Sequence, residues 1–384
     1  MPLRVCAVSG GRADYGLLVP VLEALRDDAR FELQLVLTGQ HLMSDEHDLL
    51  ALIASDGLAV SGTVDIGLAG GDSVTVIEGA GNVLRGMAGT IAKLKPDIFL
   101  LLGDRYEIVC VALAATIAGI PIAHIAGGDL TFGAFDDAFR HSLTKMSHLH
   151  FVTNSDAERR VRQLGEPADR IHVVGSPGLD RIRTVKLPLR DAFFRSVGLE
   201  PKAINLVVTF HPETLAQEPV AGLDELFAAL EQLPSEASVL FTGSNADPGG
   251  RQIDQRVEAF VRGKPSMRRV TSLGSAGYFA ALTYMDAAIG NSSSGLYEAP
   301  SFGLPTVNIG DRQSGRLKAD SVFDCAADRK AISAAIVAAL ARGRRPTVNP
   351  YGDGRAAERI VAALGKISDV RALLSKRFVD LEAA

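Results

Sequence analysis

The chain has 384 residues, of which 47% are hydrophobic and 22% charged, and it carries a formal net charge of -5. Its length exceeds what one hydrophobic core serves and points to two domains, and its composition excludes long disorder. The mild acidity offers no basic face for nucleic acid, so any phosphate-bearing ligand has to be gripped by local donors.

Short Val/Ile/Leu runs alternate with helix-length amphipathic segments, the pattern of βα units on a parallel sheet. The first run, Leu3 to Ser9, enters the turn Ser9-Gly10-Gly11-Arg12-Ala13-Asp14-Tyr15-Gly16 without the basic region, apolar run and cleavage site of a signal peptide, so a cytoplasmic location is expected. Glycines let a backbone approach a ligand, and helix N-terminal N–H groups with Arg12 can hold a phosphate. A tight βα turn with a surface arginine is the plainer alternative, and the absence of GxGxxG speaks against a dinucleotide. Leu17, Leu18, Val21, Leu22 and Leu25 stand at helical spacing and predict a helix over Tyr15 to Arg26. A strand follows at Glu32 to Leu37, a helix at Ser73 to Leu94 and a strand at Asp97 to Leu102. This last strand runs into Gly103-Asp104-Arg105, which places a carboxylate at the end of a parallel strand, where open α/β sheets bind ligands. Ile108 to Ile125 is the longest apolar stretch, but Gly119-Ile120-Pro121 divides it into a helical piece and a strand. It falls short of the ~20 uninterrupted residues of a membrane span, and no membrane partner is expected.

The next segment, His124 to Asn154, reads HIAGGDLTFGAFDDAFRHSLTKMSHLHFVTN. Charges beside a core strand need partners or water, so a segment this polar reads as the wall of a site. Asp129, Asp136 and Asp137 join Asp104 in an acid cluster, with Arg105 and Arg140 as further substrate-binding candidates. Carboxylates paired in a poorly solvated cleft have their pKa values pushed apart, so that one can act as base while another donates a proton; any single one could instead be a solvated loop acid. His124, His141, His148 and His150 lack a zinc pattern such as HExxH, so core or supporting roles are expected and no metal. A helix over Phe135 to Ser147 and strands at His150 to Thr153 and Ile171 to Val174 complete the first half. Cys6, Cys110 and Cys325 are odd in number and far apart, which predicts buried free thiols.

A polar, proline-containing passage at Thr184 to Arg190 marks a boundary, giving domains over 1–185 and 186–350 and a terminal segment over 351–384. Strands are predicted at Asn205 to Thr209, Ser238 to Thr242, Arg268 to Val270, Ala287 to Gly290 and Thr306 to Ile309. Helices are predicted at Leu223 to Leu233, Gln252 to Arg262, Gly274 to Tyr284 and Asp328 to Arg342. His211 directly follows a strand, where an imidazole can contact a phosphate or shuttle a proton; alone it would equally be structural. Ser292, Ser293 and Ser294, bounded by glycines, form a candidate anion nest at a helix start, against the alternative of a single N-cap. Glu298 lies just beyond and can accept two ribose hydroxyls. The last stretch, Gly354 to Leu381, has helical periodicity and is expected to pack back across the domain interface.

Taken in order, SGGRADYGLL, GDRYE, GAFDDAFRHSLTKMSHLHF, VVGSPGLD, TFHPET, GNSSSGLYEAP and NIGDRQSGR resemble the UDP-N-acetylglucosamine 2-epimerase family. More narrowly they resemble its hydrolysing branch, which supplies sialic and legionaminic acid pathways, and the resemblance covers nearly the whole chain. It implies a GT-B-like α/β fold: two Rossmann-like, doubly wound parallel-sheet domains with a UDP-linked sugar in the interdomain cleft, no cofactor, and a homodimer. It further implies that Arg12, His211, Ser293 and Ser294 grip the diphosphate, Glu298 the ribose, and Arg312 or Arg316 the nucleotide region or the neighbouring helix. Asp104, Asp129 and Asp136 would face the sugar. This chain reads HIAGGD where the branch commonly reads HIHGGE, so its acid is one methylene shorter and a histidine is absent. The expected chemistry is elimination of UDP across C1 and C2 of an N-acetylhexosamine, with Asp104 taking the C2 proton and cations and N–H donors steadying the diphosphate. Hydration of the resulting 2-acetamidoglucal, guided by Asp129 or Asp136, then returns a proton to the opposite face. A non-hydrolysing epimerase, a GT-B glycosyltransferase and a catalytically silent nucleotide-sugar sensor are the rival readings, and UDP-N-acetylglucosamine, a UDP-2,4-diacetamido-trideoxyhexose and GDP-linked sugars remain open as substrates.

Overall fold

A computed structural model describes residues 1–42, 46–67, 73–130, 136–212, 220, 222–244 and 249–380, without the side chains of 12, 13 and 46–49. The chain forms two compact units, Met1–Arg183 with Tyr351–Ala384, and Thr184–Pro350.

In the first unit β1 (Leu3–Ser9), β2 (Phe31–Thr38), β3 (Val60–Val64), β4 (Ile98–Leu102), β5 (Ile122–Ile125), β6 (Leu149–Val152) and β7 (Ile171–Val173) make a seven-stranded sheet in the order β3-β2-β1-β4-β5-β6-β7. Every pairing is parallel. Between the strands run α1 (Arg12–Arg26), α2 (Glu46–Ser55), α3 (Ser73–Leu94), α4 (Tyr106–Ile117), α5 (Asp136–Met146) and α6 (Ser155–Gln163), and α7 (Arg181–Thr184) ends the stretch. Successive side chains of a strand face opposite sides, and β1 divides accordingly. Val5 and Ala7 pack with Leu18, Leu22 and Leu25 of α1, while Cys6 and Val8 pack with Val83 and Met87 of α3 and Ile108 and Val111 of α4. Each such fully buried aliphatic side chain contributes about 1.5–3 kcal/mol. Sequential strands run outward on either side of β1 and β4, so the order reverses between them. Ligands of doubly wound sheets bind at the carboxyl ends there, which here means the turn after Ser9 and the turn after Leu102.

The second unit repeats the plan with α8 (Arg190–Val197), β8 (Ile204–Thr209), α9 (Gly222–Leu230), β9 (Ala237–Thr242), α10 (Gly250–Val261), β10 (Met267–Val270), α11 (Gly274–Tyr284), β11 (Ala287–Gly290), α12 (Ser294–Tyr297), β12 (Thr306–Ile309), β13 (Val322–Cys325) and α13 (Arg329–Arg342). Its parallel sheet is ordered β10-β9-β8-β11-β12-β13. The reversal lies between β8 and β11, so His211 and the serine run sit at the second switch point.

Residues 351–384 belong to the first unit. There α14 (Ala356–Leu364) places Ile360 and Leu364 in the same core as α1. Its N-terminus is capped from a distance by Asp180, whose carboxylate accepts from the Ala356 and Ala357 N–H groups at 3.0 and 2.6 Å. The helix expected to run to Leu381 stops at Leu364, followed by Gly365 and a single 3-10 turn over Arg371–Leu374. Beyond it, Lys376 inserts beside Glu166 and the Phe378 ring lies against Gly165. All three cysteines are free; Cys6 is buried and the other two half-buried. Among the described residues no helix is long and apolar enough to cross a membrane.

Candidate active site

At the first switch point β4 bends at Gly103, which has φ +80. His124 of β5 fixes that bend by donating from Nε2 to the Gly103 carbonyl at 2.7 Å. Burial pulls the His124 pKa down to about 4, so the imidazole is neutral. The next residue, Asp104, is ion-paired with Arg140 of α5. Arg140 also donates to the Asp129 carbonyl at 2.7 Å and the Asp137 carboxylate at 3.2 Å. Asp129 in turn accepts from the Thr153 hydroxyl at 2.8 Å, at the end of β6. Asp136 opens α5, and its carboxyl is raised by burial and then by the negative charge of Asp104, with Arg105 and Arg140 opposing. The four acids read from the sequence thus gather around one guanidinium. Arg140, expected to face substrate, is itself 6% exposed and committed to holding those acids.

The glycine pair of HIAGGD serves packing. A Cβ on Gly127 would stand 3.0 Å from the His124 ring and the Thr144 hydroxyl, and one on Gly128 (φ +80) would collide with the Ala157 carbonyl. Ala126, where the related pattern has histidine, takes φ +67, a left-handed conformation that costs a non-glycine residue of order 1 kcal/mol.

Three residues at this edge gave no sequence signal. Glu107 in the first turn of α4 is fully buried and accepts from the Arg105 Nε–H at 2.5 Å. Asp14 of α1 lies 3.8 Å from the same guanidinium, and its carboxyl is pushed up to about 6, mainly by burial. His41, after β2, hydrogen-bonds Ser9 Oγ at 2.8 Å and is held near 4 by burial. Arg12 is the first residue of α1, and its side chain lies outside the described atoms.

In the second unit the organiser is Asn291, fully buried after β11. Its Oδ1 accepts from the His211 N–H at 2.7 Å and its Nδ2 donates to the His211 carbonyl at 2.8 Å. Its own carbonyl accepts from Gln313 at 2.8 Å and from Arg312 at 3.3 Å. Arg316 donates to the Gln313 side chain at 2.7 Å and lies over the Tyr297 ring. The imidazole of His211 reaches Ser244 Oγ at 3.4 Å. The serine run does open a helix, but α12 has only four residues, so its dipole is small and any anion here would rely on N–H and hydroxyl donors. The Ser294 hydroxyl is taken by Tyr278, and Ser292 Oγ accepts weakly from the Ser294 N–H at 3.4 Å. Glu298 follows directly. Burial pushes its carboxyl up to about 7 against its own N–H and the Ser294 hydroxyl, and its buried Oε2 has no hydrogen-bond partner among the described residues. Among the described residues no cluster of metal-ligating side chains occurs in either unit.

Residues 23–365 match the family described as UDP-N-acetylglucosamine 2-epimerase. The chain is 35% identical to the polysialic acid biosynthesis protein P7 of Escherichia coli, over 86% of this chain and 84% of that one. It is 32% identical to the UDP-N,N'-diacetylbacillosamine 2-epimerase (hydrolyzing) of Legionella pneumophila, over 97% and 98%. The crystal structure of a UDP-GlcNAc 2-epimerase from Neisseria meningitidis, bound to UDP-GlcNAc, shares the fold with a TM-score of 0.79 at 18% identity, covering 95% of this chain and all of that one. The two doubly wound units are those of a GT-B-like fold.

Proposed function

This chain belongs to the UDP-N-acetylglucosamine 2-epimerase family and is a nucleotide-sugar 2-epimerase; on that premise we propose that it is of the hydrolysing kind. It would convert UDP-N-acetylglucosamine, or a UDP-2,4-diacetamido-trideoxyhexose, to the free 2-epimer and UDP. The observation that carries the proposal is the pairing of unlike acids, Asp104 held by Arg140 and Asp136 with its carboxyl raised beside it. Two adjacent carboxyl groups, one paired with a guanidinium and the other raised by burial and its neighbour's charge, suit a proton removed from one face of C2 and returned to the other.

The reaction balances without an external oxidant. Asp104 takes the C2 proton, its electron pair forms the C1–C2 double bond, and the C1–O bond to UDP breaks. Water then adds its oxygen to C1 of the 2-acetamidoglucal while C2 gains a proton from the opposite face, with Asp136 or Asp129 as the acid; the proton lost by the water restores that acid, and Asp104 releases the C2 proton to solvent. His211, Ser292, Ser293 and Arg12 are assigned to the diphosphate, Glu298 to the ribose, and Arg312 and Arg316 to the nucleotide region. Asp137 and Arg140 support the acids. Two relatives at 32 and 33% identity carry hydrolysing names, which supports hydrolysis over release of a nucleotide sugar. The same reading carries a cytoplasmic homodimer, which sedimentation and fractionation measure.

The test is incubation with UDP- and GDP-linked N-acetylated sugars in deuterated water, read by NMR. The expected products are free 2-epimer deuterated at C2 and UDP. Asp104→Asn should still bind UDP while losing C2 exchange; undiminished turnover in that variant would refute the assignment.

A further inference from the structure

Glu107 is a buried charge beside the first unit's acids that the reaction leaves unused. It is fully buried, and its Oε2 has no hydrogen-bond partner among the described residues. A carboxylate in that state is costly unless something depends on it. The backbone around it has been cleared to admit it: a Cβ on Gly10 would stand 2.7 Å from Glu107 Oε1, and so would a Cβ on Gly39, which also has φ +65. Gly10 therefore fits this side chain, at a turn where the sequence alone suggested room for a ligand, while Gly39 is also required by its own φ and by the Gly10 carbonyl that a Cβ there would strike first. What Glu107 holds is Arg105, gripped at Nε and still one-third exposed at its far end. That guanidinium flanks Asp14 and reaches the Gly11 turn from which Arg12 emerges.

We propose that Glu107 is a positioning residue acting through Arg105, holding the guanidinium at the switch point beside Asp14 and Asp104 so that its charge meets the departing diphosphate. For the identity of that anion the inference rests on the epimerase reading. The charged groups that act on Asp14 are Arg105 and Asp104 from the turn after β4 and Glu107 from the first turn of α4. Glu107 raises the Asp14 carboxyl while Arg105 lowers it. Arg105 is the stronger of the two, so a Glu107 variant that lets the guanidinium drift away should raise the Asp14 carboxyl, whereas loss of the Glu107 charge with Arg105 still in place would lower it.

The experiment compares the full-length wild type with Glu107→Gln, Gly10→Ala, Glu107→Ala and the double variant Gly10→Ala/Glu107→Ala. Steady-state kinetics with UDP-N-acetylglucosamine, UDP calorimetry, thermal unfolding and carboxyl 13C NMR are the readouts. Misplacing a charged group by an ångström costs up to about 100-fold, so Glu107→Gln should lose about 10- to 100-fold in kcat with KM and UDP affinity within about threefold. Its Asp14 midpoint should rise above about 6. Gly10→Ala should lower both kcat and Tm in the wild type and neither in the Glu107→Ala background, where the atom it strikes is gone. Wild-type kcat in Glu107→Gln, an Asp14 midpoint that stays or falls, or fully additive Gly10 and Glu107 effects on Tm would each overturn the proposal. A wild type that turns over no nucleotide sugar would instead defeat the epimerase reading, and the NMR midpoint and Tm coupling would still decide the Glu107 contact.

Discussion

Replacing Glu166 by glutamine isolates the ion cluster that fastens the end of the chain to the first unit. The Glu166 side chain is fully buried and accepts from Lys145 at 2.6 Å, His150 at 3.0 Å and Lys376 at 3.1 Å. Burial alone would raise its pKa, but the three donors outweigh that and hold it down to about 2, against an ordinary 4.5. A depression of roughly two units, at about 1.4 kcal/mol each, amounts to ~3 kcal/mol of stability. For an acid with a lowered folded pKa, this contribution is complete above about 4.5 and is lost as pH falls toward about 2. Glutamine keeps the shape and removes the charge, leaving Lys376 poorly solvated beside a neutral amide. At pH 7 the first unit should melt about 6–12 °C lower, using roughly 2–4 °C per kcal/mol for a unit of this size. Calorimetry of both proteins from pH 7 to pH 2 is the assay, and the gap between them should close only in the acid range. A loss under ~1 kcal/mol at pH 7, or a gap constant down to pH 2, would refute the reasoning.

Glu298 should make nucleoside binding pH-dependent. Its carboxyl titrates near 7 and accepts ribose hydroxyls best when ionised, so uridine, which has no titrating phosphate, should bind more weakly at pH 6 than at pH 8. In Glu298→Gln that dependence should vanish, and isothermal titration at the two pH values measures it. Asn291→Ala removes both side-chain bonds to the His211 backbone, leaving a donor and an acceptor unmatched at about 1–3 kcal/mol each. The second unit's transition should fall and UDP affinity drop at least about tenfold; wild-type UDP affinity would separate His211 from the nucleotide.

The doubly wound plan was legible because parallel strands buried on both faces write continuous apolar runs such as Ile98–Leu102. Two of the edge strands were not: β3 reads VSGTV and β13 reads VFDC, each half-solvated and too short or too polar to form such a run. The surface helix α6 buries only Ala157 and Val161, which leaves a polar string with no stripe to detect. Asp104 was readable because it ends a strand, whereas Glu107 sits inside an apolar helix and is explained only by Gly10 and Gly39, distant in sequence. Arg140 looked like a ligand contact because sequence gives charge without burial. The serine run was seen, but the role of Asn291 depends on a main-chain partner eighty residues away.

The second unit is one unbroken piece of chain, and the first is written in two parts on either side of it. During synthesis the order of completion is therefore inverted. The second unit can close while the first still lacks α14, so the core that Ile360 and Leu364 complete waits unfinished, Asp180 waits for the helix end it caps, and Glu166 waits for Lys376. A chain from which residues 351–384 have yet to emerge would hold a closed second unit and a first unit with an incomplete core.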